Sequence, residues 1–275
     1  MVNRRRVIYS LVIGILVCVL FGGLIAGFSG RGQSQGNQQR QTATILRRGG
    51  PSTDQPPTPK ELDDAATPIV DFTRDSSTVT EDRRQKNRRY DGHGVVKNDI
   101  DPQVASVVRD SETPISDVPT DNSDLVIEGR VTDAEAFLSN DKRDVYSEFT
   151  LHVTDILKAS PSSEVHRGDS VIADRWGGRV RFPNGRIIRY SFVGQGSPMK
   201  GNKYLLFLSR TGQGSYKIIT GYEIGGNRVS ALDGARVNNR GMGKWPFDKH
   251  NGEEYEKLRK TVEDSILNDR KGGRQ

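Results

Sequence analysis

Residues 145–160 read VYSEFTLHVTDILKAS, and their alternation decides the fold. Val145, Phe149, Leu151 and Val153 fall on one side of an extended chain, while Tyr146, Glu148, Thr150, His152 and Thr154 fall on the other. Successive strand side chains point to opposite faces, so this pattern specifies a half-buried strand and not a helix. Upstream, residues 125–133 alternate as well, with Leu125, Ile127, Gly129 and Val131 against Glu128, Arg130 and Thr132. The polar stretch 139–143 between the two runs is a turn.

Downstream the same character continues as short apolar runs separated by turn residues. Residues 171–176 form one strand, and 179–192 form a hairpin whose arms meet at Pro183, Asn184 and Gly185. Residues 204–208, YLLFL, are apolar without alternation, which suits a central strand covered on both faces. A turn at 212–215 leads to a run at 216–222, and a last short strand holds 229–232. This is the pattern of an all-β barrel or sandwich. After it, Asn251 and Glu254 have capping-box spacing, and Tyr255, Leu258, Val262 and Ile266 form one stripe of a helix over residues 252–268.

The ends of the chain differ from this domain. Residues 7–28, VIYSLVIGILVCVLFGGLIAGF, contain no charge and, at about 1.5 Å per residue, reach across a hydrocarbon core of about 30 Å. Arg4, Arg5 and Arg6 precede this run, so the basic residues hold residues 1–6 in the cytoplasm and the rest is exported. The expected location is a cell membrane, crossed once, with the C-terminal domain extracytoplasmic and the lipid bilayer as a partner of residues 7–28. Gly27 and Ser29 also allow cleavage as a signal peptide, although such apolar cores usually run only about 7–15 residues. Gly23 and Gly27 have the spacing of a helix dimer contact, which would make a homodimer. Cys18 is the single cysteine and falls inside the apolar run, so no internal disulfide braces the outer domain.

With 275 residues, 33% hydrophobic and 30 of them glycine, the chain is expected to hold one compact domain plus unpacked sequence. Residues 29–114, rich in Gln, Ser, Thr, Asp, Arg and Pro, are read as a disordered stalk. One short helix is expected there at 101–109, where Asp101 caps and Pro102 opens it. The stalk also carries a basic cluster, Arg83, Arg84, Lys86, Arg88 and Arg89, suited to gripping an acidic surface or to remaining a solvated linker.

The segments VYSEFTLHVTDILKAS, RGDSV at 167–171, GGRVRFPNGRIIRYSF at 177–192 and KGNKYLLFL at 200–208 resemble a group of exported bacterial proteins without assigned activity. The resemblance covers residues 115–234. The order of long strand, hairpin and YLLFL strand also resembles the OB-like barrel of the tissue-inhibitor-of-metalloproteinase and netrin modules. It implies a mainly β, small OB-like domain serving as a binding platform, followed by the extension 235–275. Protease inhibition is not implied, because those inhibitors use an N-terminal cysteine and several disulfides that this chain lacks.

Catalytic chemistry has little to stand on. The four histidines, His93, His152, His166 and His250, are scattered, and no HExxH, CxxC, Walker A or GxSxG occurs. Gly194 and Gly196 lack a third glycine, since position 199 is Met199. Nothing implies a cofactor or a metal. A hydrolase built on His152 is the weakest of the functional classes.

The net charge of +6 favours anionic partners, and the candidate contact surface is the hairpin region: Arg175, Trp176, Arg179, Arg181, Arg186, Arg189 and Tyr190. Parity puts Arg179 and Arg181 opposite Val180 and Phe182, which equally suits arginines on a solvated, aggregation-protected strand face. The expected function is a membrane-tethered binding or interaction module, for an envelope protein or, through the arginine-rich hairpin, for an anionic polymer or a nucleic-acid-like ligand. A structural spacer is the alternative, and it requires the stripe of the C-terminal helix to be exposed.

Overall fold

A computed structural model describes residues 44–47, 67–74, 79–92, 96, 104–109, 116–212, 214–234 and 245–272. All belong to one compact unit, Gln41–Gln275. The expected anchor at 7–28, with Cys18, Gly23 and Gly27, falls outside the described residues. Among the described residues no helix is long and apolar enough to cross a membrane.

In chain order the strands are β1 (Thr44–Arg47), β2 (Ile69–Asp71), β3 (Val104–Arg109), β4 (Leu125–Leu138), β5 (Val145–Ala159), β6 (Ser170–Trp176), β7 (Gly178–Arg181), β8 (Ile187–Phe192), β9 (Lys203–Arg210), β10 (Tyr216–Gly225) and β11 (Arg228–Ala231). Helix α1 (Glu81–Arg88) precedes β3, and a 3-10 turn (Pro246–His250) and helix α2 (Tyr255–Gly272) follow β11. The protein is therefore mainly β with a C-terminal helix.

β4 pairs antiparallel with β5 and β9, β5 with β6, and β9 with β10. β10 then runs parallel to β6 through Tyr216↔Ala173 and Lys217↔Asp174, so the five pairings return to their starting strand. A sheet closed in this way has no free edge among those five strands. Its core includes Ile127, Val131, Phe149, Leu151, Leu206 and Leu208, all buried. Register shifts in β4 between Val126 and Ile127, Glu128 and Gly129, and Val131 and Asp133 supply the bends that a curved strand needs. At the β9–β10 seam a Cβ on Gly221 would stand 2.6 Å from Leu206 Cδ2 and 2.8 Å from the Leu205 carbonyl oxygen, so only glycine fits.

A second sheet runs β1-β3-β8-β7-β2. The expected hairpin is its centre, with Val180 opposite Ile188 and the turn glycine Gly185 at φ 80°. β2 joins parallel to β7, and β3 joins parallel to β8. Val70, Val107, Val180 and Ile188 pack with Phe137, Val145 and Tyr146 from the far ends of β4 and β5.

This sheet corrects the reading of residues 29–114 as a disordered stalk, because β2, α1 and β3 all come from it. β2 and β3 contribute at most six residues each and pair with strands more than 80 positions away, and α1 carries no apolar residue, so no local period announces them. It also corrects the helix expected at 101–109, where residues 104–109 are a strand. The pairing Val107↔Tyr190 and a run rich in β-branched valine outweigh the weak capping signal.

The stripe Tyr255, Leu258, Val262 and Ile266 of α2 is buried against Val126, Leu205, Phe207 and Tyr222 on the outside of the barrel. Each buried side chain of this size contributes about 1.5–3 kcal/mol. Residues 204–208 are accordingly covered on both faces, with Leu205 and Phe207 under α2 and Tyr204, Leu206 and Leu208 inside the barrel. The exposed stripe that a spacer would need is absent.

Candidate functional site

The hairpin region does not form one cationic and aromatic platform. Arg175 is buried, with Nη2 2.6 Å from Asp233 Oδ2 and Nη1 donating to the Gly196 carbonyl at 2.9 Å. Asp233 also accepts from Thr220 Oγ1 at 2.8 Å and from the Gly196 amide at 2.9 Å. Trp176 is buried, donates Nε1 to Asp144 Oδ1 at 3.2 Å and tilts against Phe192. Arg189 and Tyr190 are buried as well. Arg179 is half-buried and donates Nε to the Thr67 carbonyl at 2.7 Å, Arg186 is half-buried at the turn, and Arg181 is exposed beside Asp71 Oδ1 at 3.2 Å. The surface expected of Arg175, Trp176, Arg179, Arg181, Arg186, Arg189 and Tyr190 is thus divided. β2 and β3 flank the hairpin on both sides, and its inner face closes over the ends of β4 and β5.

The basic cluster of the presumed stalk has instead found an acidic surface on its own barrel. Thr80 caps α1 by accepting from the Arg83 amide at 3.3 Å, with Glu81 and Asp82 in the first turn and Lys86 and Arg88 in the last, matching the helix dipole. Arg83, Lys86 and Arg89 recur every third residue and so share one side. They meet Glu148 on β5 and Asp174 on β6, which stand directly opposite each other in register. Arg83 engages both Glu148 oxygens, with Nη2 3.0 Å from Oε2. Lys86 Nζ is 2.6 Å from Glu148 Oε1 and 3.8 Å from Asp174 Oδ2, and Arg89 Nη2 is 3.3 Å from Asp174 Oδ2. Tyr146 donates to Asn87 Oδ1 at 2.7 Å and accepts from Arg83 at 3.1 Å, and Tyr90 stacks on its ring at 4.1 Å. The Asp174 side chain has 0% exposure. Burial pushes its carboxyl above the ordinary range, outweighing the Tyr90 hydrogen bond and the charges of Lys86 and Arg89.

Beside this network lies an open cleft of about 300 Å³ between α1 and the β4–β5 turn. Its floor is Phe137 with Val70, Val79 and Leu138, and its rim carries three cations, Arg74, Arg83 and Lys142, against one carboxylate, Glu135. The Arg83 guanidinium lies 3.7 Å from the Phe137 ring centre and that of Arg74 lies 5.4 Å away, a cation–π pair of contacts. Arg74 also pairs with Glu135 at 2.7 Å, both side chains about half exposed. Lys142 has φ 54°, the left-handed region, and its Nζ donates to the carbonyls of Phe72 and Arg74 at 3.3 and 3.2 Å. The turn that holds it is stitched internally by Ser139 Oγ to Asp141 Oδ1 at 2.6 Å, and to α1's exit by the Asn140 amide on Asp91 Oδ1 at 2.8 Å. The cations are consequently presented from a braced frame.

The histidines stay dispersed. His152 is exposed on β5 opposite Arg130 and Ser170, and His166 is exposed near Asp169. His250 is buried, with Nδ1 2.5 Å from Glu253 Oε2 and Nε2 2.9 Å from Asp117 Oδ2, and fastens the 3-10 turn. His93 falls outside the described residues. Among the described residues no group of three His, Cys, Asp or Glu is arranged to hold a metal ion.

Reading the sequence alone missed Glu148 and Asp174. The available signal was a carboxylate inside the apolar run VIADRW and another on the polar face of the clearest strand. Compared with known proteins, the chain matches no protein-family model and no curated sequence.

Proposed function

We propose that this chain is a membrane-tethered, extracytoplasmic binding module built on an OB-like barrel, and that it engages an anionic ligand at the cleft beside α1. The OB-like assignment is supported by the closed five-strand pairing with its single parallel contact between β6 and β10. Tethering is supported by the uncharged run 7–28 behind Arg4, Arg5 and Arg6. The observation that carries the ligand class is the convergence of Arg74, Arg83 and Lys142 over the Phe137 floor. An aromatic floor under a cationic rim suits a carboxylated or sulfated polymer, whose charges meet the rim while its rings or sugar faces lie on Phe137.

The test is retention of the full-length protein, in nanodiscs, on immobilised dextran sulfate over a salt gradient. Arg74→Glu with Lys142→Glu should weaken binding about tenfold or more and lower the eluting salt. Arg181→Glu with Arg186→Glu on the hairpin should change it much less. Equal retention of the first variant and wild type rejects the cleft as the contact site. Protease protection in intact cells tests the export: digestion of the C-terminal domain only from the cytoplasmic side rejects it.

A further inference from the structure

We propose that Glu148 and Asp174 form a receptor for a cationic helix of a partner protein, one bearing arginine at every third position, and that α1 occupies this receptor in cis. This surface shares Arg83 and Asn87 of α1 with the cleft, but the acidic pair lies outside the cleft lining and the argument does not use the anionic-ligand reading.

Two carboxylates directly opposite on neighbouring antiparallel strands repel each other, and the sheet gains nothing from the pair by itself. Glu148↔Asp174 is such a pair, and both side chains are almost fully buried, at 8% and 0% exposure. Buried like charges of this kind persist only with cations set against them. No residue of the barrel strands supplies those cations; Arg83 and Lys86 come from α1, a separate helix of eight residues, and Arg89 is the residue that caps its C-terminus. A helix this short is marginal in water, so its order is drawn from the surface it docks on. The acidic pair therefore acts as the template, and the helix as the guest.

The guest fits incompletely. Asp174 Oδ1 is buried yet accepts no hydrogen bond. Lys86 reaches Glu148 at 2.6 Å but stands 3.8 Å from Asp174 Oδ2, beyond hydrogen-bond length. The Lys86 ammonium hydrogen-bonds Glu148 alone, whereas the longer planar fork of an arginine in the same place carries donors on two nitrogens, one for each carboxylate. A partner helix reading Arg-x-x-Arg-x-x-Arg thus brings a fork to the pair where α1 brings a single ammonium, beside the Asp174 Oδ1 that receives no hydrogen bond from α1. Asn87, one position after Lys86, adds a second determinant by accepting the Tyr146 hydroxyl at 2.7 Å. The preferred partner carries an amide side chain immediately after its central arginine.

The probe is a labelled peptide with the sequence of residues 79–92 and arginine in place of Lys86, titrated into the full-length protein in nanodiscs. Binding to a protein carrying Arg83→Ser, Lys86→Ser and Arg89→Ser, whose receptor is vacated, should be about tenfold or more tighter than to wild type. Adding Glu148→Gln and Asp174→Asn should abolish it, and a peptide with lysine at the central position should bind more weakly. If the vacated protein does not fold, hydrogen exchange on wild type decides: saturating peptide should speed exchange in residues 81–88 while β5 and β6 stay protected. Binding that is equal in wild type and vacated protein, or indifferent to the carboxylate substitutions, overturns the proposal. So does unchanged exchange at 81–88.

Discussion

Glu128→Gln removes one charge from the junction that fastens α2 to the barrel. Glu128 stands on β4 with its side chain 5% exposed, and its carboxylate receives Arg259 Nη1 at 2.6 Å, Lys203 Nζ at 2.5 Å and the Tyr255 hydroxyl. Glutamine keeps the shape and one acceptor, but turns an amide NH2 toward either Arg259 or Lys203, which sit on different oxygens of the carboxylate. Breaking a buried ion pair costs about 3–5 kcal/mol when the remaining charge has no other partner. Here Arg259 retains Asp155 Oδ2 at 2.8 Å and Glu263 Oε1 at 2.9 Å, while Lys203 is 33% exposed and rehydrates. The expected loss is therefore about 2 kcal/mol, which in a unit of this size lowers Tm by about 4–8 °C. Thermal melting by circular dichroism measures it, with Arg259→Met and the double variant completing a cycle. Because both substitutions remove the same contact, the double variant should cost about 1 kcal/mol less than the sum. A second readout is the ionisation of Tyr255, which burial and then the Glu128 hydrogen bond push up. Glu128→Gln should bring that ionisation to lower pH in an ultraviolet titration. A change in Tm under about 1 °C together with additive single effects would refute the claim that this carboxylate secures the helix.

Acid should loosen the molecule through three carboxylates. Burial pushes Asp117, Asp155 and Glu253 up, but hydrogen bonds from Lys249 and His250, from Arg259, and from Lys257 and His250 respectively outweigh it and hold all three below their ordinary values. A carboxylate lowered in the folded state contributes stability that is complete above its unfolded pKa and is lost as pH falls through the folded one. Melting temperature should then fall on acidification below about pH 4, and Asp155→Asn should flatten that fall; a profile unchanged by the substitution counts against it. Gly221→Ala should strain the β9–β10 seam, where the new methyl meets Leu206 Cδ2 and the Leu205 carbonyl, and should cost about 1–3 kcal/mol in urea denaturation. An unaffected midpoint would mean that the seam is looser than these distances imply.

The mainly β character was legible because the strands from residue 125 onward carry their own signatures, although the pattern suited a barrel or a sandwich equally and did not separate the hairpin into a second sheet. β5 alternates at residues 151–154, where Leu151 and Val153 are buried while His152 and Thr154 are exposed, as a one-sided strand must. β9 reads as apolar on every position because α2 covers one face and the barrel core the other. The hairpin turn at Pro183–Asn184–Gly185 announces itself through residues that tolerate its backbone angles. The stripe on α2 likewise carried its period openly, and the helix extends four residues beyond the expected end, to Gly272.

The second sheet and the candidate sites were a different matter. At its N-terminal end β5 is buried on both faces, and Tyr146 and Glu148, polar-face residues by alternation, are covered by α1. That cover comes from a basic segment with no apolar period of its own, so nothing local foretells it. Arg175 and Arg189 illustrate the same limit from the other side: they read as solvated cations, yet Arg175 serves as the partner of Asp233, 58 positions away, and Arg189 is buried in the hairpin. The sequence by itself determined which stretches are strands, where the C-terminal helix lies and which stripe of it is apolar, because burial of apolar groups acts on every residue according to its own chemistry and its neighbours at fixed spacing. Only the tertiary structure decided which charges meet, since an ion pair depends on two residues brought together across the fold and neither one, read alone, names the other.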